Sequence, residues 1–432
     1  MELVVTKNFG HQDSWTLQSY REAGGYQALE RVLRELSPED VSDLIKASNL
    51  SGRGGAFFPT GLKWEFVRKE PKTPRYVVVN ADESEPGTYV NRLSLELDPH
   101  LTIEGMVIAA YASQAERGYF YIRGEYGLCH QRVQNAIREA YEAGYLGKRI
   151  LGHNDFSLEV EFRRGAGAYI VGEETALFNS LEGKRGNPRF KPPFPTSVGV
   201  WGMPTAINNV ETLAAVPAIV ENGAEWFQGL GKGEASGTKM YCLSGNVVNP
   251  VAVELPLGTT ARELIFEHGG GVHQGRTLKG FKPGGASSAA LTPKELDAPL
   301  EPKSMAELGT IMGTGGVVVF DDTACMVDAA YRDALFFEEE SCGFCIPCRE
   351  GAPNLVQICE RIMHGQGSED ELELLEELGA SMMASFCGLG QFAHQPVRGA
   401  VSRFRTEFEA HIRDHHCEAG TCPISTGPGS QQ

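Results

Sequence analysis

The stretch Arg75-Tyr76-Val77-Val78-Val79-Asn80-Ala81-Asp82-Glu83-Ser84-Glu85-Pro86-Gly87-Thr88 decides the fold class. An aromatic residue and three consecutive β-branched valines make a short strand, Tyr76 to Val79, and an acidic, glycine-containing loop follows it directly. Working outward, short apolar strands alternate with helical patterns: Leu101 to Ala115, Tyr119 to Ile122, Arg132 to Ala143, Leu158 to Phe162, and a helix from Glu173. That alternation predicts an α/β domain over 73–230, a parallel sheet covered by helices. The loop Asn80 to Thr88 then lies at the carboxyl edge of the sheet, where α/β folds bind ligands.

The rest of the chain divides by composition. In 1–72, Ser37-Pro38-Glu39-Asp40 is a helix start with a capping hydroxyl, proline at the first helical position and acids in the first turn. A glycine-rich loop, Gly52 to Gly61, comes next. Between 237 and 320 the signals are short and strand-like, as in a small mixed domain of the ubiquitin-like β-grasp sort. From 321 to 414 the period is helical, over Met326 to Phe337, Asn354 to Met363, Glu369 to Leu378 and Val397 to Ile412, which predicts a helical bundle. A Cys/His tail occupies 415–432, with Ser425 to Gln432 expected to be disordered.

With 39 basic against 56 acidic side chains the formal charge is -17, which repels nucleic acid and anionic membranes. No export signal or membrane-length apolar stretch is visible, so the chain reads as cytoplasmic, meeting a membrane only through partners. Ten cysteines in such a chain argue for metal or redox chemistry over structural disulfides. Cys129, Cys242 and Cys325 stand apart and read as small buried hydrophobes.

Cys342-Gly343-Phe344-Cys345-Ile346-Pro347-Cys348 puts three thiolates on one turn, and Cys387 can close the site from another helix. Three cysteines spaced by two residues plus a distant fourth is the ligation pattern of a [4Fe-4S] cluster, with a four-cysteine zinc site as the rival. Three loops are candidates for a cofactor. Gly52-Arg53-Gly54-Gly55 offers bare amides, although a plain turn has the same composition. Asn80 to Glu85 offers carboxylates for sugar hydroxyls, or is a solvated acidic loop. Gly165 to Thr175 passes from strand to helix, and its acids either favour a free 2′-hydroxyl or simply complement the helix dipole.

Together these segments resemble the FMN- and NADH-binding subunit of respiratory complex I and its relatives in NAD-reducing hydrogenases and formate dehydrogenases. The similarity runs over roughly residues 20 to 412, in order, through Gly52 to Trp64, Asn80 to Thr88, Ile122-Arg123-Gly124-Glu125-Tyr126, Gly165 to Thr175, Pro188 to Pro195, Asn208-Asn209-Val210-Glu211-Thr212 and the cysteine set. The resemblance implies a Rossmann-like FMN and NADH domain, then a β-grasp (SLBB) domain, then a helical iron-sulfur domain. It implies that Gly52, Gly54, Lys63, Asn80, Asp82, Gly172, Glu173, Asn208, Asn209 and Thr212 hold FMN, with Arg53, Gly55, Ser84 and Tyr169 as further cofactor-binding positions. Phe58, Glu85, Glu174, Lys191 and Phe194 would meet NADH, with Glu174 disfavouring NADPH; Glu83 and Glu85 are the catalytic candidates, Glu83 through proton uptake. A hydride donor gives two electrons and a cluster accepts one, so a flavin has to stand between them. The implied partners are a thioredoxin-like [2Fe-2S] subunit and a larger iron-sulfur subunit.

Two departures matter. The family usually has glycine where this chain has Phe57, a side chain that tolerates a left-handed backbone poorly, and Phe-Lys-Asp-Arg where this chain has Tyr89-Val90-Asn91-Arg92. If nucleotide binding is lost there, the chain is a non-catalytic relay or assembly subunit. The tail His415-His416-Cys417-Glu418-Ala419-Gly420-Thr421-Cys422 resembles that of the hydrogenase and formate-dehydrogenase branch, and Cys359, His416, Cys417 and Cys422 form a candidate structural zinc set, with a small cluster shared with a partner or a flexible metal-free tail as the alternatives.

Overall fold

The computed structural model describes residues 2–153 and 155–424, so the expectation for Ser425 to Gln432 lies outside the described residues. The chain forms two compact units: Met1–Ser84 with Tyr89–Tyr241 and Ala252–Gly258, and Glu85–Thr88 with Cys242–Val251 and Thr259–Gln432.

In the first unit, β1 (Tyr76–Ala81), β2 (Arg117–Ile122), β3 (Glu159–Arg164) and β4 (Thr205–Asn209) make an all-parallel sheet in the order β3-β2-β1-β4. Val78 stands opposite Tyr119 on one side and Ile207 on the other, and Val77, Val78 and Val79 are fully buried. This is the double burial that a valine run at the centre of a parallel sheet requires.

The helix Pro99–Ser113 is buried at every residue. Pro99 opens it and the Asp98 carboxylate accepts from the Leu101 amide at 3.3 Å. Its Gly105 lies against the helix Val210–Ala214, where a Cβ would come within 2.0 Å of the Leu213 carbonyl oxygen. Backbone on both sides leaves no side chain to swing away, so Gly105→Ala is expected to cost about 2 kcal/mol through overpacking, read as a lower thermal midpoint. An unchanged midpoint would show that the two helices part freely. The capping box read at Ser37 is present, with Ser37 Oγ accepting from Asp40 N at 3.1 Å and the Asp40 carboxylate accepting from Ser37 N at 2.9 Å, at the start of the helix Pro38–Ala47.

Burial pushes Asp98 up to about 7, against the hydrogen bonds from Asn8 (2.8 Å) and Leu101, and pushes Glu104 up to about 7 as well. Carboxyls raised this way bind more protons folded than unfolded between about pH 4 and 7, so stability falls as pH rises through that window. Asp98→Asn, which keeps a capping side chain, is expected to gain midpoint relative to the parent between pH 5 and 8. A constant difference would contradict it.

The other sheet has the order β6-β5-β8-β7, from β5 (Thr238–Gly245), β6 (Val251–Pro256), β7 (Leu278–Lys282) and β8 (Gly316–Asp321). β5 runs parallel to β8 from the Cys242 to Gly316 pairing onward, and β7 runs antiparallel to β8. After β8 the chain is helical: Met326–Glu340, Ile346–Met363, Asp370–Met382, Gly388–Phe392, Gln395–Arg403 and Arg405–Arg413. The single helix read over Val397 to Ile412 is two. It breaks at Phe404, whose backbone leaves the helical region (φ -124°, ψ 33°) while its ring packs against Ala290 and Met326.

Candidate functional site

In the sheet order β3-β2-β1-β4, chain progression reverses between β1 and β4, so the crevice outside their carboxyl ends is the topological switch point, the general ligand position of open α/β sheets. Asn80 to Ser84 leave β1 there, and Asn208 and Asn209 end β4.

The glycine-rich loop is pinned beside Val210–Ala214. Arg53 N donates to Thr212 Oγ1 at 2.8 Å, and the buried guanidinium donates to the carbonyls of Ser236 (2.8 Å) and Thr238 (3.2 Å). The side chain of Arg53 is thus spent on the scaffold, and the loop presents its backbone. A Cβ on Gly54 would sit 3.2 Å from Asn209 Cβ, Gly55 has φ +104°, and Phe57 adopts the left-handed φ of +51°. Gly52 N donates to Phe58 O at 2.9 Å, and the Phe58 ring is exposed.

Lys63, on the helix Thr60–Lys69, reaches the end of β4, where Nζ donates to Ile207 O at 2.8 Å. Burial pulls its pKa down, with Glu174 opposing, and no carboxylate among the described residues lies within 4.0 Å of Nζ. Its neighbour Trp64 donates Nε1 to Asn208 Oδ1 at 2.9 Å, fixing that amide.

On the acidic loop, Asn80 Nδ2 donates to Gly172 O at 2.9 Å, and Asp82 accepts from Ser84 Oγ at 2.6 Å. Glu83 is buried and its carboxylate is engaged: it accepts from the amides of Asn91 (2.8 Å) and Arg92 (3.0 Å) and from the Tyr126 hydroxyl (3.1 Å). Burial raises its pKa and those three donors oppose the rise. The Arg123 guanidinium donates to the Glu83 carbonyl. Glu85 belongs to the second unit, where it accepts from Ser287 N at 2.8 Å and Ser287 Oγ at 2.7 Å.

The turn Tyr169–Gly172 leads into the helix Glu174–Leu181, whose cap is Glu173, accepting from the amides of Thr175 (2.8 Å) and Ala176 (2.9 Å). Lys191 Nζ bridges Glu173 (2.9 Å) and Glu174 (2.6 Å); burial lowers its pKa, but the two carboxylates more than offset this and leave it raised. Phe194 exposes more than half of its surface. The loops therefore offer an uncompensated cation, backbone amides, amide side chains and exposed aromatic rings, a set suited to a phosphate-bearing aromatic ligand.

In the second unit, Cys342 and Cys345 lie on the turn between Met326–Glu340 and Ile346–Met363, and Cys348 sits in the first turn of the latter. Cys387 precedes Gly388–Phe392, and a Cβ on Gly390 would lie 3.0 Å from Cys348 Cβ. Burial pushes Cys387 up to about 11, with Cys342, Cys348 and Cys345 adding to the rise, so the four thiols crowd one another and call for a cationic centre. A [4Fe-4S] cluster fits this set. The close single-ion group among the described residues is another one, Cys325, His411, Cys417 and Cys422, whose ligand atoms all lie within 4.8 Å of one another.

That group corrects two readings. Cys417 and Cys422 gather with Cys325 and His411, whereas Cys359 and His416 stand outside. Cys359 is buried as a thiol, pushed up to about 12 by desolvation, and His416 is exposed. Cys325 is no isolated hydrophobe; 92 residues separate it from Cys417, and no linear spacing exposes such a pair.

Comparison with known proteins gives two family matches, the Nuo51 FMN-binding domain over residues 45–218 and the NADH-ubiquinone oxidoreductase-F iron-sulfur binding region over residues 328–411. The chain is 49% identical over 417 residues to the second NADH-quinone oxidoreductase F subunit of Rhizobium meliloti, covering 96% of this chain and 99% of that one. It is 43% identical to the NADP-reducing hydrogenase subunit HndC of Solidesulfovibrio fructosivorans, covering 97% and 85%. The crystal structure of an NAD+-reducing [NiFe]-hydrogenase in the H2-reduced state superposes with a TM-score of 0.82 at 35% identity, over 93% of this chain and 67% of that one.

Proposed function

The chain belongs to the family of NADH-quinone oxidoreductase F subunits, and from that premise we propose that it is the electron-entry component of a larger redox complex, oxidising NADH at FMN and passing single electrons to a [4Fe-4S] cluster. The observation that carries the reading is the β1/β4 crevice, where the ammonium of Lys63 has no carboxylate partner among the described residues and the glycine loop shows its backbone. FMN, when bound, supplies the conversion from two-electron to one-electron transfer.

The protein's own part is positioning. Lys63 and the amides of Gly54 and Gly55 meet the phosphate or ring, while Asn80, Asp82, Ser84, Asn208 and Asn209 meet the polar edge of the flavin. Glu83 holds the loop by capping the helix Val90–Leu97 from outside. Phe58 and Phe194 stack on the nucleotide, and Glu174, tethered by Lys191, disfavours a 2′-phosphate. Cys342, Cys345, Cys348 and Cys387 ligate the cluster. Phe344 and Ile346, both exposed beside it, suit contact with a thioredoxin-like [2Fe-2S] partner and a larger iron-sulfur subunit.

An anaerobic titration of the full chain with NADH and then NADPH, followed by flavin absorbance and cluster EPR, tests this. Bleaching by NADH with a reduced-cluster signal is the expected result. A chain holding cluster but no flavin would refute it.

The relay reading is favoured by one observation, the left-handed φ of Phe57. Phe57→Gly is expected to raise stability by about 1 kcal/mol by removing that strain, seen as a higher thermal midpoint, with NADH bleaching the same in parent and variant. Bleaching gained only in the variant would turn the assignment to a relay.

A further inference from the structure

We propose that Cys325, His411, Cys417 and Cys422 bind one zinc ion in a closed tetrahedral site that fastens the Cys/His tail to the helical bundle. Three of the four ligands are buried and Cys422 is partly exposed. Cys325 Sγ is 3.6 Å from His411 Nε2 and 3.4 Å from Cys422 Sγ. Zinc bonds of roughly 2.3 Å to sulfur and 2.0 Å to nitrogen in a tetrahedron place ligand atoms roughly 3.5 to 3.8 Å apart, so an ion fits with small adjustments.

The surroundings prepare three of the four ligands. His411 Nδ1 lies 2.7 Å from the Glu407 carbonyl, so that nitrogen carries the proton and donates, leaving the Nε2 lone pair for the metal. The Asp328 amide, in the first turn of Met326–Glu340, is directed at Cys325 sulfur, and the amides of Thr421 and Cys422 are directed at Cys417 sulfur. Gly420 turns the chain between the last two cysteines with φ +65°, and its amide bonds the Cys417 carbonyl at 2.9 Å. This is how a metal knuckle holds thiolates: backbone donors share the sulfur charge while a tight loop fixes the spacing.

With four protein ligands no position remains for water or substrate, which makes the site structural. It joins the start of one bundle helix, the helix Arg405–Arg413 and the tail residues 417–422. A disulfide between Cys325 and Cys422 is the chemical rival, and it would leave Cys417 and His411 without a purpose at the same point.

The test is metal analysis and zinc X-ray absorption on the full chain, purified anaerobically from zinc-supplied cells. About one zinc per chain with three sulfur ligands and one nitrogen is expected. Cys422→Ser and His411→Gln should lose the zinc while iron and FMN per chain stay unchanged, and Cys359→Ser should retain it. Cobalt substitution of the parent gives a readout that needs no variant, a thiolate-to-cobalt charge-transfer band with tetrahedral d–d intensity. A parent without zinc, iron in that shell, two thiols missing in a titration of the unfolded parent, or zinc kept by Cys422→Ser would each overturn the proposal.

Discussion

Replacing Glu211 with glutamine lowers the stability of the full chain by about 3–5 kcal/mol, the effect of stranding a buried cation. Glu211 and Lys239 are both almost wholly inaccessible and form a direct ion pair, while Glu211 Oε1 also accepts from Met240 N at 2.7 Å. Lys239 has one further acceptor, the Met240 carbonyl at 3.0 Å. Arg53 depends on the same carboxylate at longer range: desolvation pulls its pKa down and the field of Glu211 counters it. The amide of glutamine can still accept from Met240, so the substitution isolates the loss of charge. Two buried cations then share no anion.

In a unit of this size the loss is expected to lower the thermal midpoint by about 10 °C. Glu211→Leu combined with Lys239→Met should recover most of it, because removing both charges also removes their desolvation cost. A single variant within a degree or two of the parent would mean that water reaches Lys239. Because Arg53 N is bonded to Thr212, next to Glu211, loosening this pair also loosens the glycine loop that borders the crevice.

The sequence revealed what local pattern controls. The valine run of β1, the capping hydroxyl of Ser37 and the three-cysteine turn carry their own period or spacing, and each lies where it was read. What it hid depends on pairing across the chain. The order β3-β2-β1-β4 is set by long-range register, so the crevice had to be inferred from loop chemistry. The helix Val90–Leu97 escaped notice because its own N-cap, Tyr89, supplies no side-chain acceptor; Glu83 supplies it from seven residues before the helix starts. That arrangement also explains why Glu83, read as a group for proton uptake, sits as a cap with both oxygens engaged. Cys325 and His411 were invisible as ligands for the same reason, since helices far apart in sequence bring them to the tail.

Lys63→Met weakens FMN binding by about 2–3 kcal/mol, roughly 30- to 150-fold in Kd, the value of a charge-assisted contact to an anion. The argument rests on what Lys63 lacks. Its Nζ spends one proton on Ile207 O, has no carboxylate among the described residues within salt-bridge distance, and is held in surroundings that depress its pKa. A half-buried ammonium with few protein acceptors favours a ligand that brings negative charge, which the FMN phosphate does. Methionine keeps the buried stem and removes only the charge, so the fold should survive and the flavin should wash out. The same logic fixes the pH dependence. Affinity for the anion is full while Lys63 is protonated and declines as pH rises through its depressed pKa, earlier than an ordinary lysine near 10.4 would allow. Fluorescence titration of flavin-stripped protein with FMN from pH 7 to 10 measures both effects. Parent affinity should fall with pH while that of Lys63→Met stays weak and flat; equal affinity in the two proteins at pH 7 would remove Lys63 from the flavin site.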